Sequence, residues 1–143
     1  MNKWETYDLE RKLKKILSKE KYKPDPEHHL GRPFLSAYQL AIEFAKTYPH
    51  EFEEIGLPIG GKGIGRKKTL AQEIAKRLSQ GIKNGTITGI EGGFFSHENL
   101  KEMTFKYDDG EIISSLTTGK GDLSMFRMID NPVERSSNII MLR

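Results

Sequence analysis

Gly56-Leu-Pro-Ile-Gly-Gly-Lys-Gly-Ile-Gly-Arg-Lys-Lys-Thr69, running directly into Leu70-Ala-Gln-Glu-Ile-Ala-Lys-Arg-Leu-Ser-Gln-Gly-Ile-Lys-Asn84 and Gly85, joins a glycine-rich loop to an amphipathic helix. Thr69 with Gln72 three residues later has the spacing of a capping box. Leu70, Ala71, Ile74, Ala75, Leu78 and Ile82 recur at helical spacing as one apolar stripe, and Asn84-Gly85 is a C-terminal stop. The loop brings Lys62, Arg66, Lys67 and Lys68 to the start of that helix, while Lys76, Arg77 and Lys83 fall outside the stripe. Glycine-rich backbone N–H groups, a helix N-terminus and clustered cations in one place suit a phosphate or another anion.

Upstream, a second capping box stands out. Ser36 pairs with Gln39, Leu35 and Leu40 are placed for a hydrophobic staple, and Leu40, Ala41, Phe44, Ala45 and Tyr48 share a face that ends at Pro49. His50, Glu51, Glu53 and Glu54 follow as an acidic turn or one further helical turn. Farther back, residues 6 to about 22 carry Leu9, Leu13, Ile16 and Leu17 as one stripe, with Thr6 as the expected N-cap and Asp8 in the first turn. Pro24 and Pro26 then interrupt the helix.

Downstream the pattern changes to strands. Thr86 to Phe95 is β-branched and aromatic but interrupted by Gly89, Gly92 and Gly93, which predicts a strand with a bulge or kink. Met103, Phe105 and Tyr107 alternate with polar residues, Asp108-Asp109-Gly110 signals a hairpin turn, and Glu111 to Thr118 reads as the returning strand. Gly119 to Asp122 reads as a turn, Leu123 to Ile129 as a further strand, and Asn138 to Leu142 as a last short one. The expected fold is therefore α+β: an N-terminal amphipathic helix and two core helices, followed by a small antiparallel sheet of three to five strands, in a winged-helix-like arrangement where the hairpin serves as wing. Residues 1–23 form the N-terminal helix, 24–33 a proline-containing connector, and 34–143 a single α+β domain.

Composition narrows the function classes. The 143 residues are 30% charged and 36% apolar, with a formal charge of +3, and most of the positive charge is local. Between Ile55 and Thr86, seven lysines and arginines face only Glu73. No cysteine is present, which excludes disulfides and zinc–thiolate sites and fits a reducing compartment. The N-terminal residues lack the apolar core of a signal peptide and no run reaches membrane-spanning length, so a cytoplasmic protein without a membrane partner is expected.

The glycine loop is not a P-loop. Gly60 and Gly65 have the right separation, but Arg66-Lys67 stands where Lys-Ser/Thr is needed and Thr69 comes too late. The helix from Thr69 to Ser79 resembles the first helix of a helix-turn-helix unit, with Ala75 at the close-packing position, and Ile74 to Ile87 resembles the opening helix of GntR-type regulators. The resemblance implies DNA binding, yet a glycine-rich strand follows where a recognition helix belongs, and Asp108, Asp109 and Glu111 would turn carboxylates toward phosphates at the tip of a wing.

Three readings remain open at this level. The first is a non-enzymatic nucleic-acid-binding or regulatory module that holds a DNA or RNA backbone through Lys62, Arg66, Lys67, Lys68, Thr69, Lys76 and Arg77, with no cofactor. The second is a protein–protein accessory module acting as a dimer through the N-terminal helix with Trp4 or the Asn138–Leu142 strand. The third is a small metal-dependent nuclease built from Glu91, Asp109, Glu111 and Lys106. His28 and His29 are adjacent and so point apart, while His50 and His97 are isolated, and no metal site is expected of them. Phe94 and Phe95, beside Gly92-Gly93, are expected in the core, with at most one free to stack on a base.

Overall fold

The computed structural model describes residues 2–21, 30–64, 67–114 and 123–129. The connector around Pro24 and Pro26, Arg66, the Gly119–Asp122 turn and the Asn138–Leu142 strand lie outside the described residues. In chain order the elements are α1 (Lys3–Thr6), α2 (Leu9–Ser18), β1 (Leu35–Ser36), α3 (Ala37–Thr47), α4 (Pro49–Ile55), α5 (Leu70–Asn84), β2 (Ile90–Phe95), β3 (Thr104–Tyr107), β4 (Gly110–Ile113) and β5 (Leu123–Met128). The class is α+β, as the change from helical to alternating periodicity requires.

The N-terminal helix is broken where the pattern alone makes it continuous. Asn2, not Thr6, caps the first turn by accepting the Glu5 N–H, and Thr6 is the last residue of α1. Asp8 then sits at φ 50°, a left-handed conformation that Asp tolerates better than most residues, and α2 starts after it. The Asp8 carboxylate pairs with Arg11 instead of capping, which holds the Arg11 guanidinium above its usual value. The α2 stripe of Leu9, Leu13, Ile16 and Leu17 is buried and packs on α3 and β5. It belongs to the same core as Leu40, Phe44, Ile74, Leu78 and Phe126, so this stripe is not an exposed surface for a second copy. Lys12, outside that stripe, is nonetheless buried, with its ammonium 5.3 Å from the centre of the Tyr48 ring.

Both halves of the α3 capping box form: the Ser36 hydroxyl accepts from the Gln39 N–H, and the Gln39 side chain accepts from the Ser36 N–H. Pro49 ends α3 and opens α4, since a residue without an N–H suits a first helical position. The acidic stretch after Pro49 is thus a helix, closed by Gly56 at φ 74° and by the Lys3 ammonium, which donates to the Ile55 carbonyl at 2.6 Å.

The strands divide into two antiparallel groups instead of one sheet. One has the order β1-β5-β2, and the other is the β3–β4 hairpin turned by Asp108-Asp109. Tyr38 on α3 stacks on Phe105 of the hairpin, with ring centres 5.5 Å apart. The predicted bulge in β2 is absent, because Ile90 to Phe95 pair one-to-one with Met128 to Leu123. The glycine with positive φ is Gly89, just before the strand. Gly92 meets a packing requirement, as a Cβ there would lie 3.1 Å from the Phe126 ring.

Two positions invisible to pattern reading hold this arrangement. Arg127 on β5 pairs with Glu91 on β2, donates to the carbonyls of Leu30 and Arg32, and lies over the Phe34 ring. Gly81 is within the buried face of α5, where a Cβ would come within 2.3 Å of Ile87, whose N–H donates to the Gly81 carbonyl. Replacing Arg127 by Ala should therefore lower the urea-unfolding free energy by about 2 kcal/mol, because several charge-assisted contacts vanish together. Gly81→Ala should also destabilise, by about 1–2 kcal/mol in the same measurement, the overpacking against Ile87 outweighing a helix-propensity gain of at most about 1 kcal/mol. A more stable Gly81→Ala protein would show that the approach of Ile87 is not a constraint.

Candidate functional site

The segment Gly56–Thr69 is half packing and half surface. Ile59, Gly60 and Gly61 are buried, whereas Lys62, Gly63, Lys67 and Lys68 are exposed. The buried half wraps the start of α5. The Pro58 carbonyl accepts the Leu70 N–H at 2.8 Å and the Ile59 carbonyl accepts the Ala71 N–H at 3.0 Å. The Thr69 hydroxyl accepts the Gln72 N–H at 3.1 Å, and the Thr69 carbonyl accepts the Glu73 N–H at 3.1 Å. The N–H groups of Leu70, Ala71 and Gln72, three of the donors normally left over at a helix N-terminus, are thus paired within the chain, while only the Thr69 half of the expected capping box forms.

These three N–H groups are therefore not turned toward an anion. The Lys62 N–H is also engaged, donating to the Ile113 carbonyl on the hairpin at 2.8 Å. Gly61, at φ 108°, makes that approach feasible, since a Cβ there would lie 2.8 Å from both the Ile113 carbonyl oxygen and the Ile112 side chain. Gly60, at φ 130°, has the Thr69 hydroxyl 3.1 Å from where its Cβ would be. These two glycines serve packing. Gly63 differs, having a positive φ but nothing within 4 Å of a Cβ.

The sequence-derived cations separate in the same way. Thr69 is buried and its hydroxyl accepts the Gln72 N–H as the cap of α5. Arg77 is held by Glu73 at 2.9 Å, which offsets its charge locally. Lys62 lies 3.6 Å from the Glu102 carboxylate, a loose and mostly exposed pair worth little in water. Lys67, Lys68 and Lys76 are exposed and make no ion pair among the described residues, while Arg66 lies outside them. Lys83 joins this group, because Gln72, Lys76, Gln80 and Lys83 lie at helical spacing on the exposed side of α5. Its place is readable from the periodicity, three and four residues apart along the polar face.

The nuclease set does not share one element. Glu91 is on β2 and paired with Arg127, whereas Asp109, Glu111 and Lys106 belong to the hairpin, with Lys106 directly across from Glu111. Among the described residues no three His, Cys, Asp or Glu side chains are grouped to hold a metal ion. His50 and His97 are exposed, and His28 and His29 lie outside the described residues.

Phe94 and Phe95 depart from expectation most. The sequence pattern places both in the core, but they are 61% and 40% exposed. The one-to-one register explains why: without a bulge, the two rings emerge on opposite faces of β2 beyond the last buried position, Ile90. Among the described residues no helix is long and apolar enough to cross a membrane.

The two kinds of loop glycine should respond differently to substitution. Gly61→Ala should cost about 2–4 kcal/mol of stability through strain and collision with the hairpin backbone, and Gly63→Ala about 1 kcal/mol through strain alone, both read from denaturant midpoints. Equal costs would mean that the contact with Ile112 and Ile113 is not what requires glycine. The chain matches no protein-family model, no curated protein and no solved structure, so a functional assignment rests on the residues just described.

Proposed function

We propose that the chain is a small non-enzymatic module that binds a nucleic-acid backbone through lysine side chains. The observation that supports this most directly is the exposure of Lys67, Lys68, Lys76 and Lys83 without ion-pair partners among the described residues, in a segment whose one carboxylate, Glu73, is already paired with Arg77. Lys62 and Arg66 extend the same segment in sequence. Flexible ammonium groups follow a phosphate backbone and displace its counterions, which supplies affinity and salt dependence without reading sequence. Because the N–H groups at the start of α5 are paired internally, the contact is made by side chains rather than by a phosphate cradle.

The absence of a helix between α5 and β2 disfavours major-groove reading, and the acidic turn at Asp108-Asp109 disfavours the hairpin as a wing on phosphates. The lack of cysteine is compatible with a cytoplasmic setting for such a module.

The test is fluorescence anisotropy with labelled oligonucleotides at roughly 50 and 200 mM salt. Replacing Lys67 and Lys68 together by Ala should weaken binding to all sequences alike. It should also make the slope of log K against log salt shallower by about 1.4–1.8, near 0.7–0.9 for each phosphate that the variant no longer neutralises. Replacing Lys76 with Lys83 by Ala should act in the same direction. Binding that neither double variant alters would remove this assignment.

A further inference from the structure

We infer that Asn84-Gly85, at the end of α5, is a site of self-modification, where the asparagine loses ammonia and becomes aspartate or isoaspartate. Of the five asparagines, Asn2, Asn84, Asn99, Asn131 and Asn138, only Asn84 precedes a glycine. The reaction needs the next residue's backbone nitrogen to reach the side-chain Cγ, and a glycine there puts no Cβ in the way. The structure adds three features to that minimum.

First, the Asn84 side-chain carbonyl is folded forward along the chain. Its Oδ1 accepts the Thr86 N–H at 3.0 Å and the Thr86 hydroxyl at 2.6 Å. An acceptor that reaches the N–H two residues on passes over the peptide between, which brings Cγ toward the Gly85 nitrogen. The same two donors stand where charge develops, because attack on Cγ turns Oδ1 into an oxyanion. Second, the attacking nitrogen is weakly engaged. The Gly85 N–H donates to the Ile82 carbonyl at 3.4 Å, longer than most such bonds. Third, both residues are exposed, and Gly85, at φ 81°, has nothing within 4 Å of where a Cβ would be. Asn84 is the last residue of α5, so turning it toward attack unwinds a helix end and no interior turn.

Only water is needed as co-reactant. The Gly85 nitrogen gives its proton to solvent and bonds to Cγ; the Cγ–Nδ2 bond breaks, and Nδ2 takes up a proton and leaves as ammonia. Water then opens the cyclic imide at either carbonyl, giving aspartate or isoaspartate with no oxidation or reduction. The new carboxylate stands at the negative end of the α5 dipole. It also follows Lys76 and Gln80 at four-residue steps along the exposed side of the helix, next to Lys83. Each conversion thus removes positive charge from that side and weakens the end of α5. The chemistry is independent of the proposed nucleic-acid contact; only a consequence for binding rests on that reading.

The experiment incubates the full chain, folded, in mildly alkaline buffer beside Thr86→Ala, Thr86→Ser and Asn84→Gln, with the same four proteins held unfolded in guanidinium chloride. Intact mass follows the exchange of NH2 for OH, and peptide fragmentation locates it. In the folded state the wild-type chain should convert at Asn84, Thr86→Ser at a similar rate, and Thr86→Ala several-fold more slowly, while Asn84→Gln should show no conversion at that position. Unfolded, the wild-type chain and both Thr86 variants should convert alike. A substitution that merely loosened the end of α5 would speed the reaction, so a slower Thr86→Ala separates positioning from stability. A folded chain that stays unconverted while the unfolded chain converts would show that the helix end protects Asn84, and would overturn the inference. Equal folded-state rates for the wild-type chain and Thr86→Ala would overturn the role given to the Thr86 donors.

Discussion

Hydrogen bonding at the start of α5 constrains much of what surrounds it. The first N–H groups of a helix have no partner within the helix, and leaving them unpaired away from water is costly. Here the chain that leads into α5 folds back so that Pro58, Ile59 and Thr69 supply the acceptors. For the loop to turn this tightly and still pass the hairpin, Gly60 and Gly61 take positive φ, with little room for a Cβ at Gly60 and none at Gly61. The Lys62 N–H then reaches Ile113, and the hairpin is joined to the helical part of the molecule. Part of a run of residues that resembles an anion cradle is thereby a structural bracket, held through the N–H groups of Lys62, Leu70, Ala71 and Gln72.

A second set of contacts closes the other side. Arg127 connects β5 to β2 through Glu91 and to the segment preceding β1 through two carbonyls and the Phe34 ring. A planar guanidinium has enough donors in fixed directions to do this at once, which a lysine at the same place does not. With β1 only two residues long, the sheet gains little from ladder bonds on that edge, and the contacts of Arg127 supplement them. The hairpin carries no ladder to this sheet and depends on Tyr38, Phe105 and the Lys62–Ile113 bond for its placement.

The helices α3 and α5 are legible in the sequence because capping chemistry and helical periodicity are local, and Ser36, Gln39 and Thr69 make the bonds their types predict. The hairpin turn at Asp108-Asp109 is legible for the same reason. What is not legible depends on partners distant in the chain. Whether Gly92 signals a bulge or accommodates Phe126 cannot be known before β5 is placed beside β2, and the exposure of Phe94 follows from that same register. Arg127 looks like any solvent-facing strand residue until Leu30 and Glu91 are brought to it. Among the cations, Arg77 is within salt-bridge spacing of Glu73 in the sequence itself, so its reduced availability is readable there; the burial of the Thr69 hydroxyl is not.

Closing the helix N-terminus also changes the kind of recognition this surface is suited to. A cradle of fixed N–H groups selects a phosphate by geometry, and its donors are pre-organised before the ligand arrives. Exposed lysines have no fixed geometry; on the proposed reading each would lose rotamer freedom on binding and gain mainly through counterion release, so phosphates would be held loosely. Selectivity must then come from a group other than the lysines.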